Sequence, residues 1–148
     1  MKVAVACDHA GFELKETVLK AIQALGHETI DCGTFECERV DFPDFAEKAA
    51  NLLTAGKANR AVLICGSGIG MCIAANKIRG VYACVCHDAY SARQGVEHDN
   101  INTLCLGALV IGKELAAVLV KEFLAAQYFN SGNYKKRVDK IQALETKF

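Results

Sequence analysis

Three short segments of the 148-residue chain carry side chains able to move protons: Cys7-Asp8-His9-Ala10-Gly11, Cys65-Gly66-Ser67-Gly68-Ile69-Gly70 and Glu97-His98-Asp99-Asn100-Ile101-Asn102. In the second, a thiol stands just before a glycine-rich loop. Amide dipoles exposed there favour a negative sulfur, so Cys65 could act as a base toward carbon. Glycine lets backbone approach an anion closely. Gly66, Gly68, Ile69 and Gly70, with the Ser67 hydroxyl, could therefore hold a phosphate or an enediolate oxygen. No Gly-Lys-Ser/Thr follows, and the spacing differs from G-x-G-x-x-G, so neither a Walker loop nor a dinucleotide fingerprint is present. Imidazole exchanges protons near neutral pH, which makes His9 and His98 the other candidates. Each has a plainer alternative: a buried strand cysteine, a turn that packs a helix on a sheet, an inert loop histidine.

Positioning these residues requires a scaffold, and short β-branched runs alternate with amphipathic segments along the chain, the pattern of β-α units on a parallel sheet. Strands are expected at Val3–Cys7, Glu28–Asp31, Ala61–Cys65, Val81–Cys86 and Thr103–Leu106. Helices are expected over about 11–25, 43–55, 71–77, 89–97 and 113–126, with a final basic amphipathic helix over about 132–146. Leu14, Val18, Ile22 and Leu25 form the apolar face of the first helix; Leu115, Val118, Leu119 and Phe123 form that of the fifth. Val138, Ile141 and Leu144 mark the apolar side of the last, which either caps the domain or crosses to a partner subunit. The expectation is one α/β domain over 1–148, a three-layer Rossmann-like fold with a five-stranded parallel sheet and a C-terminal helix. In such sheets ligands bind beyond the carboxyl ends of the strands, which is where Asp8, His9 and Cys65 fall.

Composition narrows the partners. Lys plus Arg and Asp plus Glu each total 17, so no net charge points to nucleic acid or an anionic membrane surface. No apolar run approaches the roughly 20 residues of a membrane helix. Met1 to Asp8 reads as a first strand rather than a secretory signal, so a cytoplasmic protein with free thiols is expected. Most of the eight cysteines lie in apolar runs, where a thiol packs as a small hydrophobe. Cys32 with Cys37 and Cys84 with Cys86 lack the paired spacing of a structural zinc site, so no metal is expected.

The chain resembles the type B ribose-5-phosphate isomerases and their relatives, the galactose-6-phosphate isomerase subunits. The likeness spans nearly all of it. It rests on Ala6-Cys7-Asp8-His9-Ala10-Gly11-Phe12, on Val40-Asp41-Phe42-Pro43, on Ile64-Cys65-Gly66-Ser67-Gly68-Ile69-Gly70 through Ile73-Ala74-Ala75-Asn76-Lys77, and on His98-Asp99-Asn100 and Arg137-Val138. The resemblance implies a cofactor-free, metal-free aldose–ketose isomerase acting on a sugar phosphate. It implies Cys65 as the base between C2 and C1, Ser67 and Gly66 to Gly70 as the enediolate cradle, and Asp8 and His9 as sugar and phosphate contacts. Some relatives use a glutamate six residues after the cysteine; Met71 stands there and takes no proton. His98 is implied to open the furanose ring from the neighbouring subunit, with Asn102 beside it, making the protein a homodimer or a tetramer.

The phosphate site departs from the family pattern. Relatives commonly carry an arginine in the segment Gly107-Ala108-Leu109-Val110 and another four residues before Arg137; this chain has Leu109 and Asn133. At 100° per residue Lys140 lies about 60° from Arg137, whereas Lys135 points nearly opposite, leaving Lys140 and Lys136 as substitutes. Tyr134 and Phe42 replace a frequent histidine and tyrosine. The reaction type is therefore better specified than the sugar: ribose 5-phosphate first, then a six-carbon aldose phosphate such as allose or galactose 6-phosphate. A non-catalytic sugar-phosphate-binding subunit is the alternative of another class.

Overall fold

The computed structural model describes residues 1–147. Strands β1 (Lys2–Cys7), β2 (Glu28–Asp31), β3 (Arg60–Cys65), β4 (Ala83–Val85) and β5 (Thr103–Gly107) form a parallel sheet in the order β2-β1-β3-β5-β4. Helices α1 (Phe12–Ala24), α2 (Phe42–Thr54), α3 (Ile69–Ala75), α4 (Ala89–Asp99), α5 (Lys113–Ala125) and α6 (Gly132–Leu144) connect and cover it. The three inner strands are apolar because both faces are covered, and alternation sends successive side chains to opposite layers. Val3, Val5, Val62, Ile64, Leu104 and Leu106 meet Val18, Ile22, Val96, Leu119 and Phe123 of α1, α4 and α5. Ala4, Ala6, Leu63, Cys65 and Cys105 meet Ala46, Ala49, Ala50, Met71 and Ala75 of α2 and α3. Small residues on both sides of the second layer let α2 and α3 lie close to the sheet, and Cys65 belongs to that layer.

Five expectations are corrected. α3 begins at Ile69, so Ile69 and Gly70 form its first turn. β4 spans only Ala83–Val85, because an edge strand gains pairing on one side alone. α4 continues to Asp99 and stops where Asn100 turns left-handed at φ 56°, so His98 lies in a helix rather than a loop. Leu115 and Val118 are exposed, and α5 buries Ala116, Leu119, Val120, Phe123 and Leu124 instead. Of the last helix only Val138 is buried, while Ile141 and Leu144 face outward.

All eight cysteines are free thiols. Among the described residues no helix is long and apolar enough to cross a membrane.

Candidate active site

Cys65 ends β3 with its side chain almost wholly buried, and the Gly68 N–H donates to its Sγ at 3.1 Å. That bond exists because the chain reverses tightly after the strand. Gly68 sits at φ +81°, and a Cβ there would come within 3.1 Å of the Leu106 backbone, so glycine alone fits. Ser67 is exposed, its Oγ accepting from the Ile69 N–H at 3.3 Å. The Phe42 ring lies over Gly70, where an added Cβ would approach it to 2.8 Å. The loop thus hangs over the end of β5 with its thiol beneath.

The end of β1 adds Asp8 and His9. Asp8 is buried and its Oδ1 accepts from the Gly11 N–H at 2.9 Å, while its own N–H donates to Ile64 O at 3.1 Å, tying β1 to β3 one residue before Cys65. His9 Nδ1 accepts from the Val40 N–H at 3.3 Å, which leaves Nε2 to carry the ring proton outward when the ring is neutral. The loop bearing Val40 is anchored by Lys15, a buried cation held by Asp31 at 3.0 Å and by Thr34 O at 2.6 Å. Cys7 shares this strand end, but burial pushes its thiol up to about 11, too weak an acid to supply a thiolate base near neutral pH.

His98 lies elsewhere. Its ring is 4.5 Å from that of Tyr134 and 5.8 Å from that of Phe129, and its Nδ1 is 2.8 Å from Gln94 Nε2. Tyr134 opens α6, whose next turn presents a groove of about 260 Å³ lined by Asn133, Lys136, Arg137 and Lys140. Lys135 points away and pairs with Asp139 at 2.6 Å. The helical geometry that selected Lys136 and Lys140 over Lys135 therefore agrees with the groove. This end therefore brings an imidazole together with a groove carrying three cationic side chains, with no thiol among them.

Within one chain the two clusters are apart. Cys65 pairs with Gly107 and Ala61 with Thr103, so the strand end that Asn102 precedes lies four residues, roughly 13 Å, from the level of Cys65. His98 is on that far side too, since α4 returns from the carboxyl end of β4 to the amino end of β5. Of the three segments, the first two thus lie at the carboxyl edge and the third at the opposite one. Asn102 departs furthest. Its Oδ1 accepts from the Tyr82 N–H at 2.9 Å and its Nδ2 donates to Gly80 O at 2.8 Å, so its amide braces the approach to β4 and has little left for a sugar.

Three further side chains border the Cys65 cluster; the sequence reading singled out Leu109 and Phe42 as departures from the family pattern and missed His87. Leu109 is 84% exposed and its Cδ1 overhangs Gly66, forming an apolar rim. Phe42 covers Gly70, as described. His87 follows β4 and accepts the Gly107 N–H at 2.9 Å. A position right after a strand in a parallel sheet was the signal that could have drawn attention to His87. Among the described residues no three His, Cys, Asp or Glu side chains converge on a metal position.

Residues 3–141 match the family model described as Ribose/Galactose Isomerase. Ribose-5-phosphate isomerase B of Escherichia coli is 42% identical over 144 residues, covering 97% of this chain and 96% of that protein. D-erythrulose-4-phosphate isomerase 2 of Mycolicibacterium smegmatis is 37% identical over 149 residues, covering 98% and 97%. The structure of ribose-5-phosphate isomerase B from Clostridium thermocellum superposes with a TM-score of 0.95 at 41% identity, covering 99% of both chains.

Proposed function

The chain belongs to the Ribose/Galactose Isomerase family, and from that premise we propose that it interconverts D-ribose 5-phosphate and D-ribulose 5-phosphate through an enediolate. The observation that carries the reading is the Cys65 sulfur held at 3.1 Å by the Gly68 amide beneath a loop of further N–H groups. Cys65 as thiolate removes the C2 proton of the open-chain aldose and returns it to C1, while the O2 hydroxyl proton passes to O1. Negative charge that develops on the substrate oxygen is met by the amides of Gly66 to Gly70 and by the Ser67 hydroxyl, donors already in place before reaction. Asp8 accepts a sugar hydroxyl, and His9 donates through Nε2. The step uses a base and fixed donors, so it calls for no metal or cofactor.

The second half of the site comes from another copy of the chain. In an isologous dimer one surface meets itself about a two-fold axis, so the His98 and Arg137 cluster of each copy can face the Cys65 cluster of the other, giving two sites. Exposed apolar residues support this: Ile69, Leu109 and Val110 in and after the turns that follow β3 and β5, Phe129 beside the imidazole, and Ile141 and Leu144 further along α6. There His98 passes a proton to the ring oxygen of the furanose, and Arg137 with Lys136 and Lys140 holds the phosphate. A free thiol base suits the reducing cytoplasm.

A second sugar is favoured by one observation, the neutral Asn133 in a groove otherwise cationic, and by the name of the M. smegmatis relative. Turnover by the purified chain is the test, with ribose 5-phosphate, erythrulose 4-phosphate, allose 6-phosphate, galactose 6-phosphate and unphosphorylated ribose, all with a chelator present. Highest kcat/KM on ribose 5-phosphate, unchanged by chelation, is expected. Faster turnover of another phosphate reassigns the sugar, and no turnover of any of them rejects catalysis in favour of a binding subunit.

A further inference from the structure

Beyond Cys65 and its loop, one imidazole at the same edge of the sheet has no part in the chemistry given above. His87 is the second residue after β4, and its Nε2 accepts the N–H of Gly107, the last residue of β5, at 2.9 Å. Gly107 is buried and is the strand partner of Cys65. The Ser67 backbone also rests on it: a Cβ at Gly107 would stand 2.7 Å from the carbonyl carbon and oxygen of Ser67, closer than any side chain tolerates. Gly68 packs just as tightly against Leu106. A continuous set of contacts therefore runs from the His87 ring through Gly107 to Ser67 and Gly68, and from the Gly68 N–H to the Cys65 sulfur.

We propose that His87 is a positioning residue for proton abstraction, fixing Gly107 as the floor on which the Ser67–Gly68 turn and its amides stand. β4 is the short outer strand, and its ladder with β5 is recorded only from Ala83 to Val85 opposite Thr103 to Cys105. Beyond that register the end of β5 has no neighbouring strand on this side to take its N–H groups. The His87 nitrogen supplies the missing acceptor where the catalytic turn crosses. Burial holds the ring below the usual imidazole pKa, so it is neutral at pH 7 and keeps a lone pair for Gly107, with its proton on Nδ1. The ring acts through the backbone and touches no reacting atom in this role.

The inference rests on Cys65 being the base in an aldose–ketose isomerase, and the test separates the two ideas. Steady-state kinetics on ribose 5-phosphate would be measured for the full chain and for His87→Leu, His87→Gln and His87→Asn, with thermal melts of each. Glutamine can place an oxygen where Nε2 stands, whereas leucine has no acceptor and asparagine stops short. His87→Leu and His87→Asn should lower kcat about ten-fold with KM changed less than about two-fold, the loss of one hydrogen bond's worth of placement. His87→Gln should recover to within about three-fold of the unaltered chain. Equal kcat for the glutamine and asparagine variants, or a fall in melting temperature with kcat unchanged, overturns the inference. Should the leucine variant not fold, the glutamine and asparagine pair decides alone. If the unaltered chain turns over no sugar phosphate, the failure belongs to the proposed activity, and the inference falls with it.

Discussion

The two ends of the sheet are built on different plans. At the carboxyl edge the Cys65 cluster is made of backbone: a buried thiol, a turn of small residues, and Asp8 tied to Gly11, with Gly68 and Gly107 so close to neighbouring backbone that a methyl group would not fit. At the other end, His98, Arg137, Lys136 and Lys140 project from two helices, and α6 buries only Val138. Under the proposed function, the difference follows from what each end would have to do. Taking a proton from carbon depends on distance and on donors fixed in advance, where an error near 1 Å costs about a hundred-fold. Holding a phosphate depends mainly on charge, which acts over longer range and tolerates mobile side chains.

The sharpest way to break that comparison is to disable each end and then mix. Cys65→Ala should lower turnover and solvent exchange of the C2 proton about a thousand-fold or more, since no second base stands in the loop. His98→Asn should cost about a hundred-fold on ring-closed substrate and far less on an open-chain analogue. If the ends meet between copies, unfolding and refolding the two variants together gives about half mixed dimers, each with one intact site of two, and about a quarter of normal activity returns. No recovery would mean that the clusters do not meet across the proposed dimer.

The charged end is probed next. Arg137→Ala removes charge-assisted bonds worth roughly 1.5–3 kcal/mol, so KM for the phosphorylated sugar should rise about ten- to a hundred-fold while kcat changes little. Lys140→Ala should raise it less, and Lys135→Ala, whose ammonium is already paired with Asp139, should leave it unchanged. A larger effect from Lys135 than from Lys140 would show that the groove lined by Asn133 and Lys136 is not the phosphate site.

The contrast also explains what was legible in the sequence. The rigid end could be read because its constraints are local: an apolar run must be a strand, and a glycine-rich turn after it must sit at the carboxyl edge. Even there, sequence started α3 two residues late, since Ile69-Gly70 looks like more loop. The other end resisted reading. Glu97-His98-Asp99-Asn100 has no apolar period, so nothing local told that α4 carries His98 through its last turn to the far side of the sheet. Leu115 and Val118 fit a buried stripe by spacing yet are exposed, because spacing gives the apolar face but not how much of it the core can reach. His87 went unread because one histidine after a strand has no pattern, only the partner that folding brings.

Asn102 gives the mildest test and the clearest separation of structure from function. It adjoins the His98 helix in sequence, which suggested a place beside the sugar, yet its amide is occupied by Tyr82 and Gly80. Asn102→Ala would leave the Tyr82 N–H without its side-chain acceptor and the Gly80 carbonyl without this donor, at a cost of about 1–3 kcal/mol. For a chain of this size that lowers Tm by about 2–10 °C. KM and kcat at a temperature well below the transition should stay within about two-fold, because both polar ends of this amide are committed to backbone at the approach to β4 rather than to a sugar. A raised KM with an unchanged melting temperature would return Asn102 to the sugar, and would mean that its amide turns away from the β4 approach when substrate binds.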